Sequence, residues 1–339
     1  MSHPAQICLV PRLAGLGGMV SFQAKFMHGL ERRGIAASFD LADPANSAVL
    51  VIGGTRHLPG LLRARRKGIR IVQRLNGMNW LQRKQPTPLR ARLRAEGNNL
   101  LLAIIRRWLA DAIVYQSGFS RSWWERVYGP IPAQARVVYN GVDLHAYSPL
   151  GPERPPVETF RILLVEGHFR SDNIQGLENA VRMVEMLQKA GPSVRLQVAG
   201  DVPGPVRAQW NARAGGIEWA GVLSRDQIPG LDRAAHLLFS ADLNAACPNS
   251  VIEALACGLP VAAFDTGALR ELVQGGAGEV VPYGSDYWNL APPVVEPLAQ
   301  AAAGILRQNE RYRQAARCRA EQAFGLDRMM DGYIQALLG

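Results

Sequence analysis

A chain of 339 residues, 48% hydrophobic, 19% charged and 7% aromatic, has the size of two globular domains, and its composition excludes a disordered, collagen-like or low-complexity polypeptide. Its net charge of +10 is lopsided, with 21 Lys and Arg against 7 Asp and Glu in residues 1–150 and 17 against 21 in residues 151–339. No apolar run approaches the roughly 20 residues that span a bilayer, and the first residues show no signal-peptide pattern, so a cytoplasmic protein is expected.

The first predicted strand, QICLV, leads into the glycine loop PRLAGLGG and then into MVSFQAKFMHGLERRG, whose apolar residues recur at helical spacing as far as Gly34. The same unit repeats in SAVLVIGG before RHLPGLLRARRKG, in IRIVQRL before NGMNW, and in ADAIVYQS before GFSRSWWERVYG. Alternation of this kind implies a parallel sheet covered by helices. Two stretches, LLRARRKGIRIVQR and RKQPTPLRARLRAEGNNLLLAIIRRWL, interleave arginine with Leu, Ile and Trp. A basic amphipathic helix lying on anionic lipid and a plain solvated basic face both account for them. Nucleic acid is not expected as a partner, because no helix-turn-helix, RRM or stacking pattern accompanies the charge.

Periodicity is lost in LGPERPPVETF, where a linker is predicted. It resumes with the strands FRILLVEG, VRLQVAG, IEWAG and HLLFSA and the helices LENAVRMVEMLQKAG and RDQIPGLDRA. The predicted organisation is a domain at 1–150, a second at 151–322 and a terminal helix at 323–339 that crosses back to the first. Two doubly wound α/β domains would face each other across a cleft, with ligands at the carboxyl ends of the strands. Cys8, Cys247, Cys257 and Cys318 form no C-x-x-C and the six histidines no H-x-x-x-H, so neither a disulfide framework nor a metal site is expected.

The stretch CPNSVIEALACGLPV is apolar apart from its first turn and Glu253. It predicts a short helix over 250–257, capped by Ser250 and stopped by Gly258 and Pro260. Ser250 and Glu253 then have the spacing of a capping box, which accounts for the acid by itself. The functional alternative starts from the same helix end, whose free N–H groups and dipole attract phosphate while the carboxylate accepts hydrogen bonds from sugar hydroxyls.

Extended to CPNSVIEALACGLPVAAFDTGALRELV, this segment resembles the signature of the retaining GT-B glycosyltransferases of glycosyltransferase family 4, E-x7-E-A-x-A-x-G-x-P-V followed by T-G-G-x-x-E. ADAIVYQSGFSRSWWERVYG with VVYNGVDLHAYSP resembles the end of that family's first domain, and FGLDRMMDGYIQALL its final helix. The resemblance implies a metal-independent and cofactor-free enzyme that moves a hexose-type sugar, with retention, from a nucleoside diphosphate sugar to a glycan, lipid-linked or small-molecule acceptor. The basic first domain would supply the acceptor side, where its charge, rather than the resemblance, adds the expectation of peripheral contact with an anionic membrane.

Residue by residue, the resemblance gives Glu253 the donor ribose and Arg170 the diphosphate, and assigns Asn249, Ser250 and Val251 to the phosphate-binding helix start. Gly221 and Val222 fall in the base-reading segment. Gly267 and Glu271 fall in the T-G-G-x-x-E turn, with Ala268 replacing the second glycine. Gly17 and Gly18 occupy the glycine turn near donor phosphate and acceptor. Asn76 lies where the sugar is met, although an Asn-Gly turn explains it equally. Two places depart from the pattern, Ala245 for the first glutamate and Gln175 for a lysine, and Arg74 is a candidate replacement for the lost charge. These departures also admit a catalytically degenerate protein that binds nucleotide or glycan as a scaffold or partner subunit. Trp123 and Trp124 are read as packing residues.

Overall fold

A computed structural model describes residues 5–15, 17–169, 174–213 and 216–339. The chain forms two compact units, Met1–Gly141 with Leu326–Gly339, and Val142–Gly325. The first holds strands β1 (Gln6–Val10), β2 (Ala36–Ser38), β3 (Asn46–Ile52), β4 (Arg70–Leu75), β5 (Ala112–Tyr115) and β6 (Gln134–Val137), and helices α1 (Gly18–Glu31), α2 (Leu58–Arg66), α3 (Leu89–Ile104) and α4 (Gly118–Tyr128). Its six strands are all parallel, in the order β2-β1-β3-β4-β5-β6. Winding reverses between β1 and β3, which opens a crevice at their carboxyl ends.

The second unit holds β7 (Phe160–His168), β8 (Val194–Asp201), β9 (Ile217–Gly221), β10 (Leu237–Ser240), β11 (Val261–Phe264) and β12 (Gly278–Val281). Its helices are α5 (Ile174–Lys189), α6 (Gly204–Arg213), α7 (Ile228–Arg233), α8 (Asn249–Ala256), α9 (Leu269–Leu272), α10 (Glu296–Arg307) and α11 (Asn309–Ala323). This sheet is also fully parallel, in the order β12-β11-β10-β7-β8-β9, and reverses between β7 and β10. Strands such as ILL in β7 and VAAF in β11 are buried and continuously apolar because helices cover both faces.

The last helix, α12 (Leu326–Leu338), packs into the first unit. Tyr333 sits 5.1 Å from the Phe22 ring and 5.5 Å from Phe26, and Arg70 Nε donates to the Ala336 carbonyl at 2.7 Å. The boundary between the units falls at 141/142, ahead of the aperiodic segment predicted as a linker. Arginines explain the difference. Arg317 donates to the carbonyls of Leu144 and Tyr147, and Arg233 grips Glu153 at 2.6 Å, so residues 142–153 are fastened to the second unit without regular structure. Val142 itself bridges to Gly325, and its N–H donates to Phe324 at 2.8 Å.

Candidate functional site

The reversal between β7 and β10 sets the carboxyl ends of these two strands side by side, and the loop 241–248 after β10 feeds α8. The helix opens at Asn249, with extended Pro248 as its N-cap and no side-chain capping hydrogen bond. The predicted capping box is therefore corrected: Ser250 already has helical geometry in the first turn, so it cannot stand at the cap, and Glu253 falls two residues past the position from which a capping box reaches back. Asn249 and Ser250 are half-buried, whereas Val251 is fully buried and offers a ligand only its backbone. Glu253 keeps part of its surface exposed one turn further on.

Behind Glu253 lies a dry, acidic layer. Asp232 is buried, and one carboxyl oxygen has no partner among the described residues. Burial first, and the Glu253 charge second, raise its carboxyl well above the usual range. The Cys257 thiol is raised by burial and by Asp232, and the Tyr147 hydroxyl by burial and by Glu253. A low-dielectric backing of this kind strengthens whatever hydrogen bonds Glu253 makes on its open side.

The loop before α8 is clamped by the T-G-A turn. Thr266 Oγ1 donates to the Asp242 carbonyl at 3.0 Å and the Ala268 N–H to the Ala245 carbonyl at 2.9 Å. Gly267, at φ +59°, lies so close that a Cβ would stand 2.6 Å from Ala245 N and O. Gly267 thus shapes the loop through backbone contact. Within the loop, Asn244 takes the left-handed conformation at φ +56° and is 3% exposed, and neither end of its amide has a partner among the described residues. A buried, unsatisfied amide next to Ala245 is costly for a fold and useful for a ligand.

Sequence reasoning missed Asn244, and it also missed a pair of acids. Glu166 sits in a bulge near the end of β7, pressed so closely to Gly200 that a side chain there would collide with the Glu166 carbonyl. Asp242 follows the adjacent strand β10. Burial, then the Asp242 charge, raises the Glu166 carboxyl well above its ordinary range, and burial raises Asp242 although Ser240 donates to it. Their signal in the sequence was a lone acid at the end of each apolar strand. Gln175, in the lysine's place, spends its amide on Asn179 at 3.1 Å. Arg170 lies outside the described residues. Among the described residues no group of three or more His, Cys, Asp and Glu could hold a metal.

Gly221 ends β9 at φ +71°, which favours glycine, and Val222 beside it is exposed. Glu271 is half-buried on α9, and its carbonyl accepts from Arg319 at 2.7 Å. In the first unit, Gly17 and Gly18 are exposed at the start of α1, beyond β1. Asn76 follows β4, and its carbonyl accepts from Trp124 Nε1 at 2.7 Å and Ser120 Oγ at 3.2 Å. Arg74 is 1% exposed, bonded to Asn140 at 3.0 Å and lying 3.9 Å from the Phe22 ring centroid. Its guanidinium is enclosed within the first unit, where it serves packing. Trp123 and Trp124 are buried, as packing residues are.

Two parallel-sheet α/β units of Rossmann type, each with its own switch point, define the class of fold: GT-B, the architecture of two-domain glycosyltransferases. Residues 160–307, which enclose the whole switch point of the second unit, match the family model "Glycosyl transferases group 1". A 2-deoxystreptamine glucosyltransferase from Streptomyces kanamyceticus is 33% identical over 114 residues, which are 32% of this chain and 28% of that protein. The match thus spans less than a third of that relative's length. Over the whole chain, the structure is similar to a sucrose-phosphate synthase from Thermosynechococcus elongatus, with a TM-score of 0.73, 16% identity and 98% of each chain covered. It is similar as well to HepE from Anabaena, solved with UDP and glucose, with a TM-score of 0.68 and 15% identity over 99% of this chain and 100% of that one.

Proposed function

We propose that this protein is a retaining glycosyltransferase that takes a hexose-type sugar from a nucleoside diphosphate donor without a metal, in the manner of family 4. The observation that carries the reading is that the matched segment, 160–307, contains α8 with Glu253 and every loop at the β7/β10 switch point. Both the sequence relative and the crystal structure of HepE carry names that speak of glucose or its transfer.

The chemistry follows from charge. Breaking the bond from sugar to phosphate leaves a diphosphate, whose growing charge is met by the positive end of the α8 dipole and by Arg170. Glu253 accepts hydrogen bonds from the ribose hydroxyls, strengthened by its dry backing. In the place where a carboxylate would meet the transferred sugar, Ala245 offers a methyl group and Asn244 offers a neutral amide with a donor and an acceptor to spare. Retention follows if the leaving phosphate oxygen takes the acceptor's proton on the face it has just vacated, so no side-chain nucleophile is needed. Gly17, Gly18 and Asn76 supply the acceptor side.

Purified protein incubated with UDP, GDP, ADP and TDP sugars tests this reading. One donor should be bound and slowly hydrolysed, and both Glu253→Ala and Arg170→Ala should abolish that hydrolysis. Binding that needs Glu253 but never leads to turnover with any acceptor would instead mark a degenerate site, with Ala245 and Gln175 as its cause.

A further inference from the structure

The arginine-rich stretch of the first unit admits two explanations by sequence, and the exposure of its leucines separates them. Leu89, Leu93, Leu100 and Ile104 lie on one stripe of α3, at steps that return to the same side of a helix with 3.6 residues per turn. That stripe faces out: Leu89 is 70% exposed, Leu93 63% and Leu100 56%. The helix is held to its unit by the other side, where Asn99 and Ala103 are buried and Asn99 exchanges hydrogen bonds with the Asn79 backbone at 2.8 and 2.9 Å. A wide turn at Ile105–Leu109 continues the stripe with Trp108, 66% exposed, over whose ring Arg107 lies at 5.5 Å.

Cations border the stripe. Arg90 and Arg94 stand on one flank and Arg92 on the other, all exposed. Arg65 of α2 donates to the Trp108 carbonyl, which joins the exposed Arg63, Arg66 and Lys67 to the same surface. Between Gly53 and Ala110 there is a single acid, Glu96, and Arg83 holds it bidentately. Those bonds keep its carboxyl down to about 2, so the pair stays closed and adds no net charge to the patch.

We infer that α3, continued by Trp108 and bordered by the arginines of α2 and α3, is a docking surface for an anionic lipid bilayer, lying in the plane of the interface. Among the described residues no helix is long and apolar enough to cross a membrane, so this is contact from one side. An apolar stripe a few residues wide enters the boundary between headgroups and acyl chains, while long arginine side chains reach up to lipid phosphates. Charge selects this occupant. A second copy of the chain on the same stripe would bring the two cationic borders together, and a nucleic acid would leave the leucines in water.

Co-sedimentation of the full chain with vesicles is the test. Vesicles of phosphatidylcholine with phosphatidylglycerol should retain the protein at least about tenfold better than phosphatidylcholine alone, with binding weakening as salt rises. The double variants Leu93→Glu/Leu100→Glu and Arg90→Glu/Arg94→Glu should each lose that binding about tenfold or more, with unchanged circular dichroism and melting because all four residues are exposed. Equal retention on neutral and anionic vesicles, no retention on either, or retention indifferent to both variants overturns the inference. A dimer in solution that Leu93→Glu/Leu100→Glu dissolves also overturns it and assigns the stripe to a second copy.

Discussion

The two units share a topology, six parallel strands with one reversal, yet they place their charge and their unsatisfied chemistry differently. The first carries 22 Lys and Arg against 8 Asp and Glu, the second 16 against 20. In the first, buried cations are paired inside: Arg74 with Asn140, and Arg106 with the Tyr115 hydroxyl at 2.8 Å. Its surplus charge stands at the surface around α3. In the second, the carboxyl groups raised by burial, Glu166, Asp232 and Asp242, gather around the β7 and β10 ends and α8, together with the unsatisfied polar atoms of Asp232 and Asn244. A doubly wound sheet therefore supplies a scaffold, and the residues at its switch point and on its outer helices decide what each copy does.

The comparison breaks most severely at Gly267. Gly267→Ala would force a Cβ into the Ala245 backbone at a left-handed position, and should cost about 3 kcal/mol of stability by thermal melting, with donor binding lost as loop 241–248 shifts. Vesicle binding by the first unit should survive at temperatures below the transition. Next comes Glu253→Ala. Glu253 is partly exposed, so melting should change by no more than about 1 kcal/mol, while kcat/KM falls about a hundredfold, near 3 kcal/mol of transition-state binding. A loss of stability with activity retained would return Glu253 to a purely structural role.

The pH dependence of the second unit should follow His236. Its Nδ1 accepts from the Arg161 N–H at 3.0 Å and Phe160 packs edge-on at 5.0 Å. Burial, then Arg313 and Arg161, lowers its pKa to about 4. The unfolded chain binds that proton below about 6.5 and the folded chain only near 4, so stability is full above the unfolded value and falls as pH drops between them. The loss should be about 3 kcal/mol, read as a falling melting temperature that His236→Gln flattens. The smallest effect sharpens the comparison further. Asn244→Gly removes an unsatisfied amide and relieves a left-handed backbone, so melting should stay level or rise while donor turnover falls about tenfold, or about 1.4 kcal/mol.

Some features of the candidate site were legible from local chemistry. Gly221 and Gly267 sit at positive φ, and an acid within an otherwise apolar helix pointed to Glu253. The start of α8 was misread by a residue, because Ser250 is a better cap than Pro248 on propensity and the loop's attachment to Thr266 and Ala268 decided otherwise. Arg74 looked available from its strand position, but burial under Phe22 closed it off. The short or edge strands β2, β6 and β12 were not recognised, since AAS, QARV and GEVV bury too little to show a pattern.

By itself, the sequence determined the alternation of strands and helices, the parallel character of both sheets and the asymmetry of charge, and it singled out Glu253 as a candidate, since each depends on residues within a few positions of one another. Tertiary structure alone decided the rest. Glu166, on β7, and Asp242, just after β10, meet because those two strands are neighbours in the sheet. Asn244 is an ordinary loop residue until packing strips its amide of partners. A leucine stripe on α3 has the same periodicity whether it faces a core or a lipid surface, and only the position of the helix on its unit shows that it points outward.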